Sequence, residues 1–188
     1  MTEGRAQAVV IGASAGALEA LSVILPGLPA SFDLPIIVVV HIPPDKRSVL
    51  AEILQAKCKI LVLEADDKEP ICGGTAYFAP PNYHLLVEAN RSLSLSSDEA
   101  VLFSRPSIDV MFESAADAYG AGLIAIVLTG ANQDGASGLR AVVNAGGTAI
   151  VQTPKGAFAS AMPEAAIKMC PTAHIMSLDA ILSFLHEV

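Results

Sequence analysis

A hydroxyl, an imidazole and a carboxylate each follow an apolar run in this 188-residue chain. Ser14 lies in Gly12-Ala-Ser-Ala-Gly16, between the strand-like run Ala8–Ile11 and a helical segment from about Gly16 to Leu25. That setting matches a G-x-S-x-G nucleophile elbow, in which a sharp strand-to-helix turn pushes the hydroxyl out of the backbone. A phosphate-cradling glycine loop uses the same strand–turn–helix context. His41 ends the β-branched run Ile36–Val40, and Asp134 lies in TGANQDGASG, beyond the apolar run Leu123–Leu128. In open parallel sheets ligands sit outside the carboxyl ends of strands, so the three side chains would share one rim. They are the parts of a Ser–His–Asp triad, recognised by roles and geometry rather than chain order. The order here, Ser, His, Asp, is not that of an α/β-hydrolase. Read singly, each residue has a plainer role: a turn or cap for Ser14, a structural histidine for His41, an Asp-Gly turn for Asp134. His84, His174 and His186 lack the strand-end placement.

The elements that would position these groups alternate. A helix of about Lys46–Ala56 with Asp45 as N-cap precedes a strand over Lys59–Leu63. From Cys72 to Ser97, turn signals separate AYFA, HLLVE and SLSL, which read as antiparallel strands of an appended hairpin or meander. RPSIDVMFESAADAYG predicts a helix from about Ser107, with Gly120 as its stop; Arg105, Ser107 and Asp109 either line a substrate groove or start this helix with Ser107 as its cap, the favoured reading. A helix of about Leu139–Asn144, a strand over Thr148–Val151, a helix over Met162–Met169, an edge strand at Ile175–Met176 and a closing helix over Leu178–His186 complete the pattern. The fold class is therefore α/β: a doubly wound, mostly parallel sheet with helices on both faces and an inserted antiparallel β-hairpin.

Composition sets limits. Apolar residues make up 53% of the chain and charged residues 16%, which argues against disorder. With 11 basic against 19 acidic residues the net charge is −8, and no basic cluster offers a nucleic acid its counter-surface. Cys58, Cys72 and Cys170 match no zinc spacing and read as thiols of a reducing compartment. No apolar run reaches the roughly 18–20 residues of a membrane span, and no secretory leader precedes the first strand. The expectation is a cytoplasmic chain without membrane insertion, forming one domain over residues 1–188.

IGASAGALEAL, VVVHIPP, YFAPPNYHLLV, RPSIDVMFESAADAYG, IVLTGANQDGASGL, AGGTAIVQ and AMPEAAI follow one another across nearly the whole chain. Together they resemble the catalytic domain of the chemotaxis protein-glutamate methylesterases (CheB-type). The resemblance implies a serine hydrolase that removes methyl esters from glutamate side chains of chemoreceptors through an acyl-enzyme. It also implies deamidation of receptor glutamines. Ser14 matches the family's nucleophile, His41 its general base and Asp134 its carboxylate. Backbone N–H groups at Ala15 and Ala131 match its oxyanion site. No metal or organic cofactor is implied, and the partner is the cytoplasmic helical region of methyl-accepting receptors.

Ala15 stands where the family usually has Thr, and Ala131-Asn132 where it has Met-Gly. Asn tolerates left-handed backbone, so Asn132 is expected to keep the turn. The family's receiver domain is not part of the pattern. Two rivals remain: a nucleotide-binding module, which GASAGA fits poorly at the second glycine of G-x-G-x-x-G, and a catalytically altered relative that only binds a receptor or signalling partner.

Overall fold

Apolar strands without polar alternation need cover on both faces, and this fold supplies it. The computed structural model describes residues 5–43, Asp45 and 47–188. In chain order the elements are β1 (Ala8–Ala13), α1 (Ala17–Gly27), β2 (Ile36–Val40), α2 (Leu50–Gln55), β3 (Leu61–Glu64), β4 (Thr75–Phe78), β5 (His84–Val87) and β6 (Leu93–Ser96). Then follow α3 (Ile108–Tyr119), β7 (Leu123–Val127), α4 (Ala136–Asn144), β8 (Thr148–Gln152), α5 (Ala161–Met169), β9 (His174–Met176) and α6 (Leu178–Leu185).

Seven strands form one parallel sheet in the order β3-β4-β2-β1-β7-β8-β9. The chain winds from β1 to one edge and then returns to build the other half from β7 outward. Strand order therefore reverses at β1, and the crevice for a ligand opens at the carboxyl ends of β1 and its neighbours. Val9, Ile11 and Ala13 pack with Ile36, Val38 and Val40 against α1, α2 and α6. Ala8 and Val10 pack with Ile37 and Val39 against α3, α4, α5 and the hairpin. Each such Val or Ile, removed fully from water, contributes about 1.5–3 kcal/mol relative to exposure.

The middle of the chain departs from the sequence reading. AYFA is not part of an antiparallel meander: β4 inserts between β3 and β2 and runs parallel to both. All four of its residues are buried, as an interior strand requires. Of the strands named above, β5 and β6 are the pair that runs antiparallel, as a separate two-stranded hairpin on α3. The helix after β2 also starts late. It begins at Leu50 behind Val49, so Asp45 is not its cap; Lys46 lies outside the described residues. Ser48 and β-branched Val49 are weak helix formers, which disfavours an earlier turn. Among the described residues no helix is long and apolar enough to cross a membrane.

Candidate active site

Ser14 is the first residue past β1. Its N–H donates to Thr129 O (2.9 Å) and its carbonyl accepts from Ala17 N–H (3.0 Å), closing the turn into α1. Gly16 caps α1 at φ +83°, a left-handed conformation that a side chain would strain. The Thr129 hydroxyl donates to Ala15 O at 2.8 Å and ties the elbow to the loop after β7. Side chains alternate between the faces of a strand. Ser14 follows Ala8, Val10 and Gly12 onto the α3 face, and His41 follows Ile37 and Val39 onto the same face. Because Ala13 pairs with Val40, the two residues stand side by side at the strand ends. Neighbouring parallel strands are roughly 4.8 Å apart.

His41 Nε2 lies 2.7 Å from Asp134 Oδ2, and its side chain is only 12% exposed. Asp134 is fully buried. Its Oδ2 also accepts from Ile108 N–H (2.7 Å), and its Oδ1 accepts from the Ser107 hydroxyl (3.0 Å) and Asp109 N–H (2.9 Å). Burial pushes this carboxyl up, but the bonds from His41 and from the Asp109 and Ile108 amides outweigh it and hold the group below the ordinary aspartate value. The ionised carboxylate can only accept, so Nε2 carries the shared proton and Nδ1 presents a lone pair. That lone pair lies 3.5 Å from Asn132 Nδ2. Among the described residues the hydrogen-bond partners of the ring are Asp134 and Asn132, and the Ser14 hydroxyl is not one of them.

The support behind Asp134 was not visible in the sequence. Asp134 precedes α4 yet accepts the first amides of α3. Asp109, in the first turn of α3, reciprocally accepts Gly135 N–H (2.9 Å) and Gly138 N–H (2.7 Å) at the start of α4. Each helix thus lends the other a carboxylate at its positive end. The two carboxylates repel, and Asp109 yields: burial above all, then the charge of Asp134, pushes its carboxyl up to about 6 despite the two amides. A raised acid binds its proton more tightly in the folded chain, so its stabilising contribution is complete below pH 3.8 and lost as pH rises through about 6. Asp134 has the opposite sign: its contribution holds above pH 3.8 and fails below it. Asp109→Asn, which keeps an oxygen for both amides and removes the charge, should therefore stabilise the fold at pH 7 by about 1–2 kcal/mol. In urea melts the gap between the two proteins should shrink by about half from pH 7 to pH 5 and close only as pH falls below 3.8; an equal gap at pH 7 and pH 5 would contradict this assignment.

Asn132 does not take the left-handed backbone expected of it. Its side chain makes the turn instead, Oδ1 accepting from Asp134 N–H at 3.1 Å, which turns Nδ2 towards His41. The N–H groups of Ala15 and Ala131 have no backbone acceptor among the described residues, whereas that of Gly130 is taken by Ala159 O. Ser107 caps α3 as read, and its hydroxyl also holds Asp134. His84 is buried: its Nδ1 accepts from Ser107 N–H (3.1 Å), so Nε2 carries the proton given to Glu99 O (2.9 Å). Arg105 is occupied by Asn82 Oδ1 and the Ser97 and Asp98 carbonyls. Beside His41 a cavity of about 460 Å³ opens between Ile42, Asn82, Arg105 and Pro106. Among the described residues no cluster of His, Cys, Asp or Glu is placed to hold a metal ion.

The family model for CheB methylesterase matches residues 9–185. The chain belongs to the CheB methylesterase family. The crystal structure of the Thermotoga maritima CheB methylesterase catalytic domain superimposes with a TM-score of 0.92 at 33% identity, covering 97% of this chain and 98% of that one. A Leptospira interrogans relative, provisionally named protein-glutamate methylesterase/protein-glutamine glutaminase, is 46% identical over 175 residues, 93% of this chain and 91% of its own length. A Syntrophus aciditrophicus protein-glutamate methylesterase/protein-glutamine glutaminase 2 is 36% identical over 185 residues, but these are only 53% of its length. The chain thus spans nearly all of some CheB methylesterase relatives and about half of others. Membership in the CheB methylesterase family removes the nucleotide-binding rival. Within this CheB methylesterase fold, Asp109 and His84 are the supporting residues that sequence reasoning missed. The one available signal was the run of polar residues in RPSID immediately before an apolar helix face.

Proposed function

We propose that this chain is a protein-glutamate methylesterase that also acts as a protein-glutamine glutaminase, working in the cytoplasm on the helical region of chemoreceptors. One observation supports the reading: a fully buried carboxylate is bonded to His41 Nε2, and the opposite ring nitrogen, 3.5 Å from Asn132 Nδ2, is left as the acceptor on a residue at the strand end next to that of Ser14. The ring is used in the reverse sense to the usual Ser–His–Asp template, where Nδ1 faces the carboxylate. His41 Nδ1 takes the Ser14 proton as the oxygen attacks the ester carbonyl. Asp134 holds the tautomer and stabilises the imidazolium. The Ala15 and Ala131 N–H groups and the amino end of α1 meet the oxyanion; losing one such donor costs about 2.7–4 kcal/mol. The tetrahedral species collapses, methoxide takes the proton back from His41 and methanol leaves. Water then gives its proton to Nδ1 and releases the glutamate; a glutamine substrate loses ammonia by the same route.

Treatment with a small serine-directed fluorophosphonate tests this, with mass spectrometry to place the adduct and methanol release from methylated receptor to follow turnover. A single adduct on Ser14 that abolishes methanol release is expected. An enzyme that releases methanol while Ser14 stays unlabelled would move the nucleophile elsewhere.

A further inference from the structure

Two hydrogen bonds close the chain into a tight hairpin just before the cis Arg105–Pro106 bond: Val101 N–H to Ser104 O (3.0 Å) and Ser104 N–H to Val101 O (2.8 Å). Its two central residues, Leu102 and Phe103, have φ +48° and +63°. Positive φ at both central positions is the pattern of a type I′ turn, which strongly selects Asn-Gly because side chains are strained there. Here the two positions hold large apolar residues instead. Phe103 gains no burial in return, its relative exposure being 104%. Strain of this kind persists where the exposed group serves something outside the fold.

The location says what. Phe103 stands in the wall of the cavity that contains His41, while Leu102 borders a second cavity of about 680 Å³ with Gln133 and Val110. The turn is the ridge between them. It is also rigid, because the Arg105 guanidinium fastens the adjoining residue to Asn82 and to the Ser97 and Asp98 carbonyls. Of the six phenylalanines only one other is exposed, Phe158 at 81%, and it packs against Gly16 of the elbow. Both exposed phenylalanine rings thus border the strand-end rim. We propose that the Leu102–Phe103 turn is a preformed docking anchor for the protein substrate, on which an apolar side chain flanking the modified glutamate packs. The inference rests on the function proposed above and names what positions its substrate. A rigid, exposed aromatic side chain is the kind of group that dominates such contacts, since little ordering is needed on binding.

Phe103→Gly relieves the strain, keeps the turn and removes the ring. It should melt about 2 °C above wild type. Its KM for a methyl-esterified receptor fragment should rise about tenfold or more with kcat within about twofold, the signature of lost uniform binding. Phe103→Leu should hold KM within about threefold. The rate of Ser14 labelling by the small fluorophosphonate, which needs no docking, should match wild type in both variants. A Phe103→Gly enzyme whose KM stays within twofold of wild type overturns the inference, as does one that melts well below wild type. If that variant instead converts a self-associated enzyme to monomer with KM unchanged, the turn is a contact between copies and the assignment also falls. A wild-type protein that neither labels nor releases methanol sinks the enzymatic reading itself, which separates the two failures.

Discussion

Asp134→Asn is expected to lower methyl-ester hydrolysis about 10³–10⁴-fold, with the loss carried by kcat. The carboxylate accepts four donors, two on each oxygen: His41 Nε2 and Ile108 N–H on Oδ2, the Ser107 hydroxyl and Asp109 N–H on Oδ1. An asparagine has one oxygen, so either orientation points an NH₂ at two of those donors. If the amide keeps its oxygen towards the backbone of Ile108 and towards His41, Ser107 and Asp109 lose their acceptor. If it turns round, its nitrogen faces His41 and forces the ring to the wrong tautomer, with the proton on Nδ1 where the base is needed. Loss of the carboxylate in a comparable triad costs about 10⁴ in kcat for that reason. The mismatched donors also destabilise the chain by about 3 kcal/mol, since they lie around a fully buried side chain. Methanol release and a urea melt on the same protein read both effects. A rate within tenfold of wild type would show that Asp134 does not orient the base.

The second large effect comes from a residue with no side chain. A Cβ on Gly12 would lie 2.3 Å from Ile108 Cγ2, the branched methyl of the first residue of α3. A β-branched methyl cannot swing away, so Gly12→Ala must push α3 off β1. Overpacking of this kind costs about 1–3 kcal/mol, or roughly 3–10 °C in melting temperature for a chain of this size. The cost to activity is larger than the cost to stability. Ile108 and Asp109 amides hold Asp134, so moving α3 moves the carboxylate away from His41, and a misplacement of about 1 Å can cost 10²-fold in rate. The double variant Gly12→Ala/Ile108→Ala provides the control, because it removes the colliding methyl. Its stability should exceed the sum of the two single effects by at least about 1 kcal/mol. Strict additivity would mean that the contact is not the source of the loss.

How much of this was readable beforehand depends on the range over which each feature is determined. Ser14, His41 and Asp134 each stand just beyond an apolar run, and a parallel sheet turns that local pattern into a shared rim. His41 and Asp134 accordingly meet. β4 was misread because a four-residue strand carries too short a period to show which way it runs. The turn signals around AYFA suggested neighbours in sequence, whereas its partners are β2 and β3 on either side. Asp109 looked like part of a helix start, and it is; its two amide partners belong to the next helix but one strand away, which no local pattern encodes. The turn at Leu102–Phe103 had no Gly, Asn or Pro to announce it. Asn132 was assigned a backbone role on its propensity, but it makes the turn through its side-chain oxygen.

The middle strand of the sheet is the first to leave the ribosome. Ala8–Ala13 can pair with Ile36–Val40 early, but its other edge stays bare until Leu123–Val127 has been made. During synthesis that bare edge invites pairing with other chains, and closing it late makes folding slow. The order of assembly also sets when chemistry begins: a half-finished chain already carries its hydroxyl and imidazole, but the carboxylate arrives only with the second half. On the proposed mechanism a newly made chain therefore stays silent until the sheet is closed.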